Sequence, residues 1–139
     1  MGRSEKIVSK MINGDAFSQW LGIHIIKVSE GFCKLEMRVR KEMTNGFKIA
    51  HGGISYSLAD SALAFAANSD GIQSLSIETS ISHIKKVLLG DTLIAETKEI
   101  SKTNKSAVYS ISITNQENTE VAKFKGKVYR TKNKWIIDK

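Results

Sequence analysis

Asn45-Gly46-Phe47-Lys48-Ile49-Ala50-His51-Gly52-Gly53-Ile54-Ser55-Tyr56-Ser57-Leu58-Ala59-Asp60 is the stretch on which the fold turns. A His-Gly-Gly turn opens a helix that the pattern predicts over residues 51–68. Ile54, Leu58, Ala59, Ala62, Leu63, Phe65, Ala66 and Ala67 cover that helix on nearly every side. A helix apolar all round is buried rather than laid on a surface. At 1.5 Å per residue it would span about 27 Å, enough to cross most of a sheet.

The flanking sequence supplies the strands. Upstream, the first twenty or so residues read as helical, broken near Asn13-Gly14-Asp15. Ile23–Val28 reads as a strand, and Glu30-Gly31 makes a turn. Phe32–Arg40 alternates Cys33, Leu35, Met37 and Val39 with Lys34, Glu36, Arg38 and Arg40, the pattern of a half-buried hairpin strand. Four more strands follow the helix. Leu75, Ile77, Thr79 and Ile81 alternate with Ser76, Glu78, Ser80 and Ser82. Asp91–Ile100 is longer and more polar. Ala107, Tyr109, Ile111 and Ile113 alternate with Ser and Thr, and Ala122, Phe124, Gly126 and Val128 with lysines. Asn104-Lys105 and Asn118-Thr119 suit hairpin turns. The order predicts an α+β fold, with one curved antiparallel sheet wrapped around the buried helix. Residues 1–139 form one domain on this reading, without repeats, a linker or any proline.

The chain is 41% hydrophobic and 25% charged, an ordinary globular balance. No apolar run reaches membrane-span length, and the N-terminus lacks the apolar core of a secretory signal. Cys33, the single cysteine, rules out an intrachain disulfide and a cysteine-based zinc site, and its place on an apolar strand face makes it a core residue. These features point to the cytoplasm. A net charge of +7 favours anionic partners without naming one. Lys123, Lys125 and Lys127 take alternate positions of one strand, as on a solvated sheet face. Phe124 between them falls on the opposite, core-facing side of the alternation, so no base-stacking aromatic shares their face, which argues against a single-strand-binding platform and a nucleic-acid partner.

Chemistry concentrates around the helix. Its first turn offers backbone N–H groups without intrahelical partners, suited to a developing oxyanion. Two glycines there cost roughly 1 kcal/mol each relative to alanine, which is easier to understand if a ligand must approach the backbone closely. Asp60 is a lone carboxylate among apolar neighbours, costly unless it faces a cleft or has a partner; the structural alternative is a hydrogen bond to Ser57 on the same face. Asp60 lies eight residues beyond Gly52, so one helix cannot bring them together, and a shared site requires a second subunit. His51 reads as a residue that fixes the turn, with catalytic base as the alternative. Asn45 could orient the preceding loop or hold a water or a carbonyl oxygen. His24 and His83 fall on predicted strands and make no metal-binding spacing with His51. No zinc motif, phosphate-binding loop or Ser-His-Asp order is present.

Asn45-Gly46, His51-Gly52-Gly53 and Ser57-Leu58-Ala59-Asp60 at these spacings, followed by an alanine-rich helix, resemble the hotdog-fold acyl-CoA thioesterases of the PaaI type, the phenylacetate-degradation thioesterase group. The resemblance spans nearly the whole chain. It implies that the Gly52 N–H polarises the thioester carbonyl and that Asp60 is nucleophile or general base. Asn45 would help place the attacking water or the thioester, with His51 and Gly53 beside the substrate. It further implies that the site lies at a dimer interface, Asp60 facing Gly52 of the other subunit, in a homodimer or a homotetramer built as a dimer of dimers. Ser76 resembles a Ser or Thr that lines the site in some relatives. Where relatives often carry an aromatic-Leu-Arg/Lys-Pro segment, this chain has His83-Ile84-Lys85-Lys86. Basic character survives for the CoA phosphates at Lys85 and Lys86, on a turn expected to be less rigid without proline. The implied reaction is hydrolysis of acyl-CoA to free acid and CoA, without cofactor or metal. A non-catalytic acyl-CoA-binding hotdog module is the alternative.

Overall fold

The computed structural model describes residues 1–137. Two short helices, α1 (Arg3–Asn13) and α2 (Ala16–Leu21), precede the hairpin β1 (His24–Ser29) and β2 (Phe32–Arg38). One 3₁₀ turn, Lys41–Met43, leads to α3 (Gly52–Asn68). Four strands complete the chain: β3 (Ile72–His83), β4 (Thr92–Lys102), β5 (Ser106–Thr114) and β6 (Glu120–Lys134). The strands form one antiparallel sheet in the order β1-β2-β4-β5-β6-β3.

The sheet curls around α3 because the inward positions of its strands and nearly every face of α3 are apolar. Leu58, Ala59, Ala62, Leu63, Phe65 and Ala66 of α3 are buried with Cys33, Leu35 and Met37 of β2 and Ile111, Ile113, Phe124 and Val128 of the later strands. Two small residues set how closely helix and sheet approach. A Cβ on Gly126 would stand 2.5 Å from a methyl of Leu63. The thiol of Cys33 donates to the Ala62 carbonyl at 3.3 Å, and burial pushes it up to about 12, which makes it a core group and not a nucleophile. Lys123, Lys125 and Lys127 alternate with this core and are exposed.

Two strands depart from regular alternation. The Asp91–Ile100 strand begins instead at Thr92, because the Asp91 carboxylate closes the preceding turn, accepting from Leu88 N at 2.9 Å and Gln116 Nε2 at 3.0 Å. In β3 the register shifts between Ser76 and Glu78. Leu75 and Ile77 consequently stand 67% and 58% exposed, while Thr79 and Ile81 turn inward. This matters because β3 is an edge strand. At the C-terminal end of α3, Asp70 is held by Arg130 (2.6 Å), Lys102 (3.2 Å) and Ile72 N (3.1 Å). Burial works against its charge, but these bonds outweigh it and hold the carboxyl below its usual range.

Candidate active site

His51 is the N-cap of α3. Its Nδ1 accepts from Gly53 N at 2.9 Å, its carbonyl accepts from Ile54 N at 2.8 Å, and its own N–H donates to Met43 O at 2.8 Å. The turn is thus fixed at three points, and the Gly53 N–H is used internally. The Gly52 N–H has no hydrogen-bond partner among the described residues. It is an open donor at the positive end of a seventeen-residue helix.

Asn45 shapes the loop in front of it. Its Oδ1 accepts from Phe47 N at 2.9 Å, its N–H donates to Ile49 O at 2.8 Å, and its carbonyl accepts from Lys48 N at 3.0 Å. This tight turn forces Lys48 to a φ of 64°. Opposite, β3 ends at His83. The chain beyond it is pinned where Ile84 N and Lys85 N both donate to Val121 O, at 2.8 and 3.1 Å, and where Ala50 N donates to Val87 O at 2.8 Å. Hydrogen bonds hold this segment without a proline. Between the two walls lies a pocket of about 250 Å³ lined by Asn45, Gly52, Ser55, His83, Lys85 and Lys86 among others.

Asp60 does not line this pocket. Eight residues along α3 separate it from Gly52, about 12 Å at the helical rise. It is half-buried, and its carboxylate has no hydrogen bond among the described residues. The alternative to a functional role, a bond to Ser57, is not made; that hydroxyl donates to Gly53 O at 2.7 Å instead. Tyr56 bonds Thr79 and Asn68 bonds Ser74, so this flank of α3 faces β3, and Asp60 lies between those two anchors. Burial raises its pKa, and the nearby Asp15 adds to the effect. Asp15 is placed as the N-cap of α2, accepting from Ser18 N and Ser18 Oγ at 2.9 and 2.6 Å, while Ser18 Oγ meets Ser61 Oγ at 2.8 Å. Ser76 is exposed on edge strand β3, away from the pocket.

The structure therefore gathers Asn45, Gly52, Lys85 and Lys86 in one place and leaves Asp60 and Ser76 toward the β3 edge. It adds His83, which the sequence offered only as a strand histidine. A Cβ on Gly52 would lie 3.3 Å from His83 Nε2. The only signal was its position just before two lysines. No group of three His, Cys, Asp or Glu side chains converges as a metal site among the described residues. No described helix is long and apolar enough to cross a membrane.

One antiparallel sheet curled around one long helix is the hotdog architecture. The thioesterase superfamily model matches residues 47–122, and the chain belongs to that superfamily as a PaaI-type hotdog enzyme. Acyl-coenzyme A thioesterase PaaI of Escherichia coli is 39% identical over 120 residues, 86% of each chain. The structure of the E. coli PaaI protein from the phenylacetic acid degradation operon superposes with a TM-score of 0.93 at 36% identity, covering 95% of this chain and 96% of that one. A hypothetical thioesterase protein of Streptococcus pneumoniae, solved with coenzyme A, gives a TM-score of 0.85 at 25% identity over 91% of this chain and 98% of its own.

Proposed function

We propose that this protein is an acyl-CoA thioesterase whose site is completed across a dimer interface, Gly52 from one subunit and Asp60 from the other. The observation that carries this reading is the pocket itself. It places an unpartnered helix-start N–H beside two lysines that can meet the CoA phosphates. The unpartnered carboxylate stands elsewhere, toward an edge strand that exposes Leu75 and Ile77. Pairing β3 with β3 of a second copy would satisfy the open strand edge and set Leu75 and Ile77 beside side chains of that copy. Two such dimers would then form a tetramer.

In this reading the thioester carbonyl oxygen accepts from Gly52 N–H. Asp60 acts as general base, its raised pKa suiting proton abstraction from water. The water oxygen bonds to the carbonyl carbon and the carbonyl electron pair moves to oxygen. The pair then returns as the C–S bond breaks, and the sulfur leaves with its electrons as the CoA thiolate. Asn45 helps place the water or the thioester; His51 and Gly53 build the turn on which both depend. Ser76 is assigned to the Asp60 side of the site. In this proposal residues 1–139 form one hotdog domain, two copies of which make the site, and the enzyme works in the cytoplasm without metal or cofactor. A panel of aromatic and aliphatic acyl-CoA substrates with thiol detection tests it. Thiol release on at least one acyl class is the expected result; tight acyl-CoA binding with no release would identify a binding module instead.

A further inference from the structure

His83 closes β3, pairing with Ala122 of β6, and the two residues after it are tied to Val121 O. The backbone under its side chain is therefore fixed. The imidazole is exposed and makes no hydrogen bond among the described residues, although it lines the pocket with Gly52 and Asn45. Its Nε2 lies 3.3 Å, and its Cε1 3.5 Å, from the point where a Gly52 Cβ would stand. Apart from the adjoining His51, no other side chain among the described residues comes within 4 Å of that point. The missing Cβ is what leaves the ring edge and the Gly52 N–H bordering one opening. A tetrahedral oxyanion has room for more than one donor, and the helix start offers it only the Gly52 N–H, because the Gly53 N–H is spent on His51.

We propose that His83 Nε2–H is the second donor to the thioester carbonyl oxygen, sharing it with the Gly52 N–H. This rests on the thioesterase reading above. His83 keeps its proton throughout: it stabilises charge on oxygen as water adds, while the proton of that water goes to Asp60. A donor of this kind acts on the transition state more than on bound substrate, so its loss appears in kcat rather than KM.

The test compares His83→Phe, which keeps a ring of similar size without a donor, with His83→Gln, which restores an N–H at comparable reach. Neither should unfold the chain, because the side chain is exposed, and thermal melting checks this. On the best acyl-CoA of the panel, His83→Phe is expected to lower kcat by about 10²-fold with KM within about threefold, the size seen on removing one oxyanion donor. His83→Gln is expected to recover most of that loss. Gln can donate but cannot take up a proton, so a Gln variant as inactive as the Phe variant would overturn the donor role. Wild-type kcat in His83→Phe would overturn it as well and leave the thioesterase reading standing. A wild-type protein that releases no thiol from any substrate would overturn that reading itself.

Discussion

Replacing Gly52 with alanine separates what the helix start does for folding from what it does for chemistry. Gly52 does not lie at positive φ, so an L side chain meets no backbone strain there. Beyond its chain neighbours, the new methyl would meet the His83 imidazole, at 3.3 Å to Nε2 and 3.5 Å to Cε1. That contact is tight by a few tenths of an ångström, and an exposed ring can swing to relieve it. Alanine in a helix is favoured over glycine by up to about 1 kcal/mol, so the melting temperature should hold or rise by roughly 2–4 °C. Activity should move the opposite way. The methyl fills the opening beside the donor N–H and displaces His83, so up to the full effect of an oxyanion donor, about 10²- to 10³-fold in kcat, is at stake. Thermal melting and thiol release on one preparation make the comparison. Wild-type turnover in Gly52→Ala would contradict a donor role for this helix start, and so would a melting temperature lowered enough to explain the loss.

Asp60→Asn should reduce kcat by about 10²- to 10⁴-fold, the range of a general base, and single-turnover hydrolysis by the wild-type protein in ¹⁸O-water should leave no label in its Asp60 carboxyl. The same variant should be more stable than wild type at neutral pH. Burial raises the folded-state pKa, so the ionised carboxylate costs stability as pH rises through that value and costs nothing below the unfolded pKa; the gap in melting temperature should close on acidification. Replacing Lys85 and Lys86 together with alanine should raise KM for acyl-CoA and flatten its salt dependence, while a short acyl-pantetheine is hydrolysed unchanged. Asp70→Ala should destabilise by about 3–5 kcal/mol, since it strands Arg130, whose side chain is only 11% exposed. The stability Asp70 contributes is present above its unfolded pKa and is lost as pH falls through the lowered folded value, as denaturation between neutral and acid pH would register.

Much of this fold was legible because its two periodicities are clean. The all-round apolar helix and the alternation in β2, β5 and β6 leave few arrangements other than a sheet around α3. β3 was harder: a register shift after Ser76 turns Leu75 and Ile77 outward, and no local residue announces a bulge. Asp91 looked like the start of a strand because its role, closing a turn through Gln116, depends on a residue 25 positions away. The site divides in the same way. Gly52, Asp60 and Asn45 stand in one segment and could be read together. His83 reaches Gly52 only through the pairing of β3 with β6 and the tie to Val121, which are long-range contacts. Sequence spacing along the helix did reveal that Gly52 and Asp60 cannot meet within one chain.

That separation allows a direct test by subunit mixing. Asp60→Asn and Gly52→Val are each made inactive, then unfolded, mixed in equal amounts and refolded together. If each site takes Gly52 from one subunit and Asp60 from the other, a mixed dimer contains one intact site and one doubly damaged site. Random pairing then restores about a quarter of wild-type activity per site. Thiol release at that level in the mixture, with neither variant active alone, is the predicted result. A mixture that forms mixed dimers yet stays as inactive as its parts would contradict a site shared between subunits.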